Sequence, residues 1–156
     1  MYAFYGNEPV FLVIEHDGSQ ISMVKFIPEE KYWQHQALEL MDNYTNKIKV
    51  ALAEYFNGTG KTIDLPYILS GTDFEQQVWE ETRKIAFGVT RTYSEIAKAI
   101  GNPDAARAVG NALNKNPLPL IIPCHRVVGS DGELHGFAGG TEIKQWLLEH
   151  EAKFKG

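Results

Sequence analysis

Cys124 is the one cysteine of a 156-residue chain, and it stands in Ile121-Ile122-Pro123-Cys124-His125-Arg126-Val127-Val128. A thiol becomes a nucleophile as its thiolate, which nearby cations or a base favour, and here an imidazole and a guanidinium follow directly. The pattern predicts a reactive cysteine. The alternative is a buried thiol acting as a small apolar filler, the usual state of an isolated Cys. The Pro, His and Arg around Cys124 weigh against it.

The segments on either side must hold that thiol in place. Asn116-Pro117-Leu118-Pro119-Leu120-Ile121-Ile122-Pro123 carries three prolines, which forbid a regular helix and stiffen the approach. After Val127-Val128 comes the turn Gly129-Ser130-Asp131-Gly132, then Gly136-Phe137-Ala138-Gly139-Gly140. That glycine-rich loop brings backbone groups against a ligand, or is a plain connection. A closing helix is expected to turn Ile143, Trp146 and Leu147 inward.

Upstream, Thr72 with Glu75 and Thr92 with Glu95 have the spacing of capping boxes, each opening a helix. Gly101 stops the second of these, and Asn102-Pro103 reads as N-cap and first residue of a third helix running to about Lys115. Two short helices about a tight turn make a helix-turn-helix, or a packed helical hairpin with no DNA contact. On the third helix Ala106, Val109 and Leu113 form an apolar stripe. Arg107 is the one long projection among the small residues Ala105, Ala108 and Gly110, with Asn111 alongside.

The N-terminal part reads as a small α/β unit. Val10 to Glu15 and Ile21 to Ile27 are strand-like runs about Asp17-Gly18-Ser19-Gln20, a hairpin signal. Ile48, Leu52, Tyr55 and Phe56 recur at helical spacing, with Asn57-Gly58 as the stop. Residues 30–42 give no clear pattern. Gly58-Thr59-Gly60-Lys61-Thr62 lacks the strand and first glycine of a phosphate-binding loop and is taken as a linker. The expected organisation is a first domain over 1–65, a linker to about 71 and a second domain over 72–156.

Composition describes an ordinary globular protein, 44% hydrophobic and 22% charged. One cysteine forms no internal disulfide, no apolar run is long enough to span a bilayer, and the start lacks a signal peptide's basic flank. The expectation is a cytoplasmic, reducing setting with no membrane role. The net charge of -5 opposes a nucleic-acid partner, but from Arg83 to Arg126 there are seven cations against Glu95 and Asp104, a net of +5. A locally positive surface holds a phosphate backbone even on an acidic protein; an ordinary solvated face is the other reading.

The segment from Asn116-Pro117 through Pro123-Cys124-His125-Arg126-Val127-Val128 resembles the O6-alkylguanine-DNA alkyltransferases, the methylated-DNA–protein-cysteine methyltransferases. The likeness covers roughly residues 72–152, including Ala105-Ala106-Arg107-Ala108-Val109-Gly110 and Gly139-Gly140 with Trp146-Leu147-Leu148. It implies an α+β protein: a small N-terminal ribonuclease-H-like α/β domain, then a mainly helical winged-helix (helix-turn-helix) alkyltransferase domain. The upstream half fits the former loosely.

The resemblance implies single-turnover repair of O6-alkylguanine in double-stranded DNA, and of O4-alkylthymine as an open extension, by a monomer with no cofactor. Cys124 is the implied alkyl acceptor, His125 the general base acting through a water, and Glu151 the carboxylate that orients it. Asn116 braces the active-site turn, and Tyr93 hydrogen-bonds the guanine ring and crowds the target phosphate. Arg107 fills the space left by a flipped nucleotide in minor-groove binding, and with Ala105, Ala106, Ala108, Gly110, Asn111 and Arg126 makes the implied DNA-binding set. Tyr93, Pro119, Val127, Phe137 and Ala138 line the implied substrate pocket, where carbonyls of Cys124 and Val127 and the Ala138 N–H read the base. Phe137 stands where some relatives carry tyrosine. His16 and His35 have no cysteine partners, so no zinc site is expected. The competing readings are a non-catalytic lesion-binding protein, a winged-helix regulator and a cysteine hydrolase.

Overall fold

A computed structural model describes residues 1–39, 42–132, 134, 137 and 139–155. Chain contacts divide into two compact units, Met1–Ile68 and Leu69–Gly156. The fold is mixed α+β, with a small antiparallel sheet and helices.

In the first unit β1 (Tyr2–Asn7), β2 (Val10–His16) and β3 (Ile21–Phe26) form an antiparallel sheet in sequence order. The β2–β3 hairpin sits on Asp17, whose carboxylate accepts the N–H groups of Ser19 and Gln20 at 2.8 Å each. Helix α1 (Glu29–His35) lies in the stretch that gave no pattern, and it buries no residue, which explains the missing periodicity. Helix α2 (Asn43–Asn57) buries Ile48, Leu52, Tyr55 and Phe56. Asp42 caps it by accepting from Thr45 N–H at 2.7 Å, and Gly58 ends it at φ 78°, the left-handed region glycine enters without cost. Beyond it the chain returns beside β3: Ile21 N–H donates to Pro66 O at 2.9 Å and Ile68 N–H to Ile21 O at 2.8 Å.

The second unit opens with α3 (Asp73–Arg83), then β4 (Arg91–Thr92), α4 (Tyr93–Ala99) and α5 (Ala106–Asn114). Both expected capping boxes are formed, Thr72 with Glu75 and Thr92 with Glu95. The third helix starts later than the sequence suggests, at Ala106. Asn102 is not its cap, because Asn102 N–H donates to Ala97 O at 2.9 Å and so closes α4 around Gly101, whose φ is 80°. The intervening turn has Ala105 N–H on Asn102 O at 3.0 Å. Helix α5 packs on α3 and α4 through Val109, Ala112 and Leu113. The indole of Trp79, in the core of α3, donates to Ala112 O at 2.9 Å.

After the proline-rich segment a single 3-10 turn, Cys124–Arg126, leads into β5 (Val127–Val128), which pairs in parallel with β4. That pairing sets Arg91 beside Val127 and Thr92 beside Val128, so the Cys124 turn leads into one end of this two-stranded element and Tyr93 follows its other end. Helix α6 (Thr141–Phe154) closes the unit. Its buried residues are Lys144, Leu147, His150 and Glu151. Leu147 turns inward as expected, while Ile143 and Trp146 are only half-buried and three ionisable residues, Lys144, His150 and Glu151, are buried with it. No helix among the described residues is long and apolar enough to cross a membrane.

Candidate active site and nucleic-acid interface

The Cys124 turn is held from upstream by one side chain. Asn116 Oδ1 accepts from Leu118 N–H at 2.9 Å, and its Nδ2 donates to Ile122 O, also at 2.9 Å. Between these ends Leu120 is at φ 75°, the only described non-glycine residue in the left-handed region. Such a conformation stores strain and persists where surroundings fix it. The Cys124 N–H donates to Ile122 O at 2.7 Å, so the nucleophile candidate begins its turn on the carbonyl that Asn116 grips.

Cys124 is buried. Burial pushes its thiol pKa up, against a hydrogen bond with Asn116 and the charge of Lys144, which act downward. The adjacent Arg126 does not make a resting thiolate, as its sequence neighbourhood suggests, because its guanidinium is turned to Glu151.

His125 is fully buried, and its Nε2 lies 2.6 Å from Glu151 Oε2. Burial lowers the imidazole pKa, and the Glu151 carboxylate only partly offsets this. For Glu151 burial acts upward, but the hydrogen bonds of His125 and Arg126 outweigh it and hold the carboxyl well below its usual range. A neutral imidazole beside an ionised carboxylate carries its proton on Nε2. Nδ1 is then the free acceptor, and it is buried with no hydrogen-bond partner among the described residues.

Arg126 requires a correction. Sequence reasoning placed it on the DNA, but its guanidinium is buried: Nε donates to Glu151 Oε1 at 2.8 Å, Nη2 to Glu151 Oε2 at 2.9 Å and Nη1 to Ile85 O at 2.8 Å. A fork satisfied in this way presents no donor to a phosphate. Glu151 also accepts from Gly88 N–H at 3.1 Å, so the carboxylate joins α6, the Cys124 turn and the loop after α3.

Lys144 is the residue sequence reasoning missed. Its ammonium donates to Val127 O at 2.7 Å and to Tyr93 Oη at 3.4 Å. Burial lowers its pKa to about 8, with Cys124 acting upward. The one signal available was its spacing: Lys144, Leu147 and Glu151 fall at i, i+3 and i+7 on one helix face. Tyr93, at the start of α4, has its phenol pKa raised by burial and then by Cys124. Val127 and Pro119 are buried beside the turn, and Phe137 is half-buried with its carbonyl accepting from Gly140 N–H at 2.9 Å. Ala138 lies outside the described residues.

A groove at α5 is lined also by Tyr93 and Ser94 and by Gly129, Ser130 and Asp131. Ala106 and Gly110, one turn apart, form part of its lining with Arg107 and Asn111. A Cβ at Gly110 would meet the Tyr93 ring at 3.8 Å, ordinary contact distance, so this glycine keeps the groove open beside Tyr93 rather than relieving a clash. Arg107, Ala108 and Asn111 are exposed, and Ala105 is half-buried at the helix start. The structure thus separates two clusters, a buried one around Cys124 and an exposed one on α5, with Tyr93 belonging to both.

Residues 73–153 match the family model described as 6-O-methylguanine DNA methyltransferase, DNA binding domain, over more than half of the chain. The chain belongs to this methyltransferase family. It is 47% identical over 154 residues to the methylated-DNA–protein-cysteine methyltransferase of Methanosarcina mazei, covering 97% of both chains. It is 49% identical over 146 residues to the constitutive methylated-DNA–protein-cysteine methyltransferase of Bacillus subtilis, covering 90% of this chain and 88% of the relative. The match to the Methanosarcina acetivorans relative is 51% identical but spans 64% of either chain. Among solved structures, the Mycobacterium tuberculosis O6-methylguanine methyltransferase superposes with a TM-score of 0.84 at 37% identity, over 97% of this chain and 92% of that one. A structure of the Mycobacterium tuberculosis protein in complex with DNA superposes at 0.82 with 34% identity, over 98% and 93%. The family likeness therefore extends through the first unit, beyond the matched DNA-binding domain.

Proposed function

We propose that the protein repairs DNA by moving an alkyl group from O6 of guanine to Cys124 Sγ, once and irreversibly. The observation that carries this reading is the buried set Cys124, His125 and Glu151, in which His125 Nδ1 is an acceptor without a partner among the described residues. The thiol is protonated at rest, so reaction begins with loss of its proton to Nδ1 through a water. Glu151 then stabilises the imidazolium, completing nucleophile, base and orienting acid. Sulfur attacks the alkyl carbon, the carbon–O6 bond breaks, and its electron pair leaves on guanine, toward which Tyr93 donates a hydrogen bond. The product is a thioether that no group in the site hydrolyses, which makes the protein its own stoichiometric reagent.

The partner is duplex DNA carrying alkylated bases, met by the α5 groove as a monomer; O4-alkylthymine remains a second substrate to assay. An alkylated base edge is hidden in a duplex, so the nucleotide must be extruded at a cost of a few kcal/mol. Arg107 supplies the wedge for the vacated stack, with Ala105, Ala106, Ala108, Gly110 and Asn111 allowing close approach. Pro119, Val127, Phe137 and Ala138 wall the base pocket. In this reading the first unit is a ribonuclease-H-like domain, and α4, α5 and the β4–β5 pair belong to a winged helix. An intracellular, reducing location keeps Cys124 free.

The test is one incubation with duplex DNA labelled on an O6-methyl group. Label should move to protein, one methyl per chain, and mass spectrometry should place it on Cys124. Cys124→Ala should bind the duplex and acquire no label. Label on another residue, or released to solvent, would end the proposal.

A further inference from the structure

Residues 85–88, in the loop between α3 and β4, make three separate contacts with the buried Arg126–Glu151 ion pair. Ile85 O accepts from Arg126 Nη1 at 2.8 Å, the Arg126 guanidinium carbon lies 5.7 Å from the Phe87 ring centroid, and Gly88 N–H donates to Glu151 Oε1 at 3.1 Å. An ionised carboxylate offers about four acceptor positions on its two oxygens. At Glu151, Arg126 Nε and Gly88 N–H meet Oε1, while His125 Nε2 and Arg126 Nη2 meet Oε2. Gly88 is the main-chain member of that set.

Only glycine suits its position. Gly88 is at φ 79°, where side chains are strained, and a Cβ there would stand 2.5 Å from Lys155 Cβ at the end of α6. The loop backbone comes close enough to α6 to reach a buried carboxylate because no side chain intervenes.

We propose that Gly88 is a positioning residue for alkyl transfer, locking the Glu151 carboxylate in the orientation that presents Oε2 to His125, with Phe87 holding Arg126 to the same end. The terminal torsion of a glutamate is broad, so a carboxylate with an open acceptor position turns easily. Turning would carry Oε2 away from the imidazole. His125 would then lose its orienting partner and the charge that stabilises its imidazolium form as the Cys124 proton departs. A main-chain donor resists that rotation, because no side-chain motion can withdraw it.

This inference rests on the proposed repair reaction and deepens it. Its rival is that the loop only ties α3 to α6. Two alkyl donors are used on the full-length protein: O6-methylguanine duplex at saturation, and iodoacetamide, which alkylates the Cys124 thiolate with loss of iodide and needs no DNA. Gly88→Ala should slow both alkylations about tenfold to a hundredfold, the scale of one lost hydrogen bond to a charged group. Duplex affinity should stay within about twofold. Adding Lys155→Gly, which removes the atom nearest the new Cβ, should return part of the rate. In a His125→Ala background Gly88→Ala should slow iodoacetamide by no more than about a further twofold, because a residue acting through His125 has nothing left to position.

An undiminished loss in the His125→Ala background would overturn the inference in favour of the rival. So would a Gly88→Ala protein that reacts at the parent rate, or one whose duplex affinity falls as far as its rate. Should Gly88→Ala melt below the assay temperature, Phe87→Leu, which takes the ring face from Arg126, carries the same comparison, with Phe87→Tyr expected to keep the parent rate. A parent protein that takes no label from the duplex, while its iodoacetamide reaction still depends on Gly88, would instead sink the repair reading alone.

Discussion

The Asn116 amide and the Ile122 carbonyl, six residues apart, lie 2.9 Å from each other across the loop that delivers Cys124. The other end of the same side chain holds Leu118 N–H, and strained Leu120 lies between. Asn116→Ala leaves two buried backbone groups without that partner and should cost about 1–3 kcal/mol for each. Urea unfolding should register this loss, and single-turnover transfer should slow as well, because Cys124 N–H hangs on Ile122 O. Unchanged stability would show that the loop holds its shape without the brace.

Arg126 and Arg107 should behave as opposites. Removing one partner of a buried ion pair is destabilising by about 3–5 kcal/mol, so Arg126→Met should lower the melting temperature sharply. The salt dependence of duplex binding by its folded fraction should not change. Exposed Arg107, if it touches phosphate, shifts that dependence by about one contact on mutation. A change of salt slope in Arg126→Met would place its guanidinium on DNA after all.

Glu151 links the site to acid stability. Its folded pKa lies below its unfolded value, so the unfolded chain binds more protons, and the carboxylate adds stability that is complete above about pH 4.3. That contribution falls away as pH drops toward the folded pKa. Glu151→Gln should therefore be less stable than the parent at pH 7, with the gap narrowing below about pH 4.3. Denaturant melts of both proteins from pH 3 to 7 would measure it, and a gap that stays constant would show that the carboxyl is not ionised in the folded state.

The wedge role of Arg107 predicts a substrate split. Arg107→Ala should slow repair of duplex far more than transfer from the free modified base, which needs no extrusion. Arg107→Leu should recover part of the loss, because a wedge needs bulk. A phosphate contact predicts rescue by Lys and none by Leu. Parallel losses on duplex and free base would remove the wedge from the mechanism.

What the sequence disclosed was mostly local. Thr72 with Glu75 and Thr92 with Glu95 announce their helices because both partners of each cap lie within one turn. Gly58 and Gly101 mark stops for a similar reason. Asp42 went unread because the apolar repeat it introduces begins several residues later, and β1 because a six-residue edge strand offers little alternation to read. Around Cys124 the residue types were legible and their directions were not. Adjacency in the chain suggested that His125 and Arg126 both charge the thiol, yet in the folded 3-10 turn both side chains reach Glu151. Lys144 looked like any surface lysine, since only tertiary packing puts its ammonium beneath Tyr93 and Val127.

The bond from the Trp79 indole to Ala112 O supplies an optical readout. Of the three tryptophans, Trp33 is 59% exposed and Trp146 half-buried, whereas Trp79 is 2% exposed. The shortest-wavelength emission therefore belongs to Trp79, whose N–H is anchored to the backbone of the helix carrying Arg107. Any shift of α5 against α3 on meeting a duplex alters that indole's surroundings. A protein with Trp33 and Trp146 replaced by Phe would report helix movement in real time, with no dye attached.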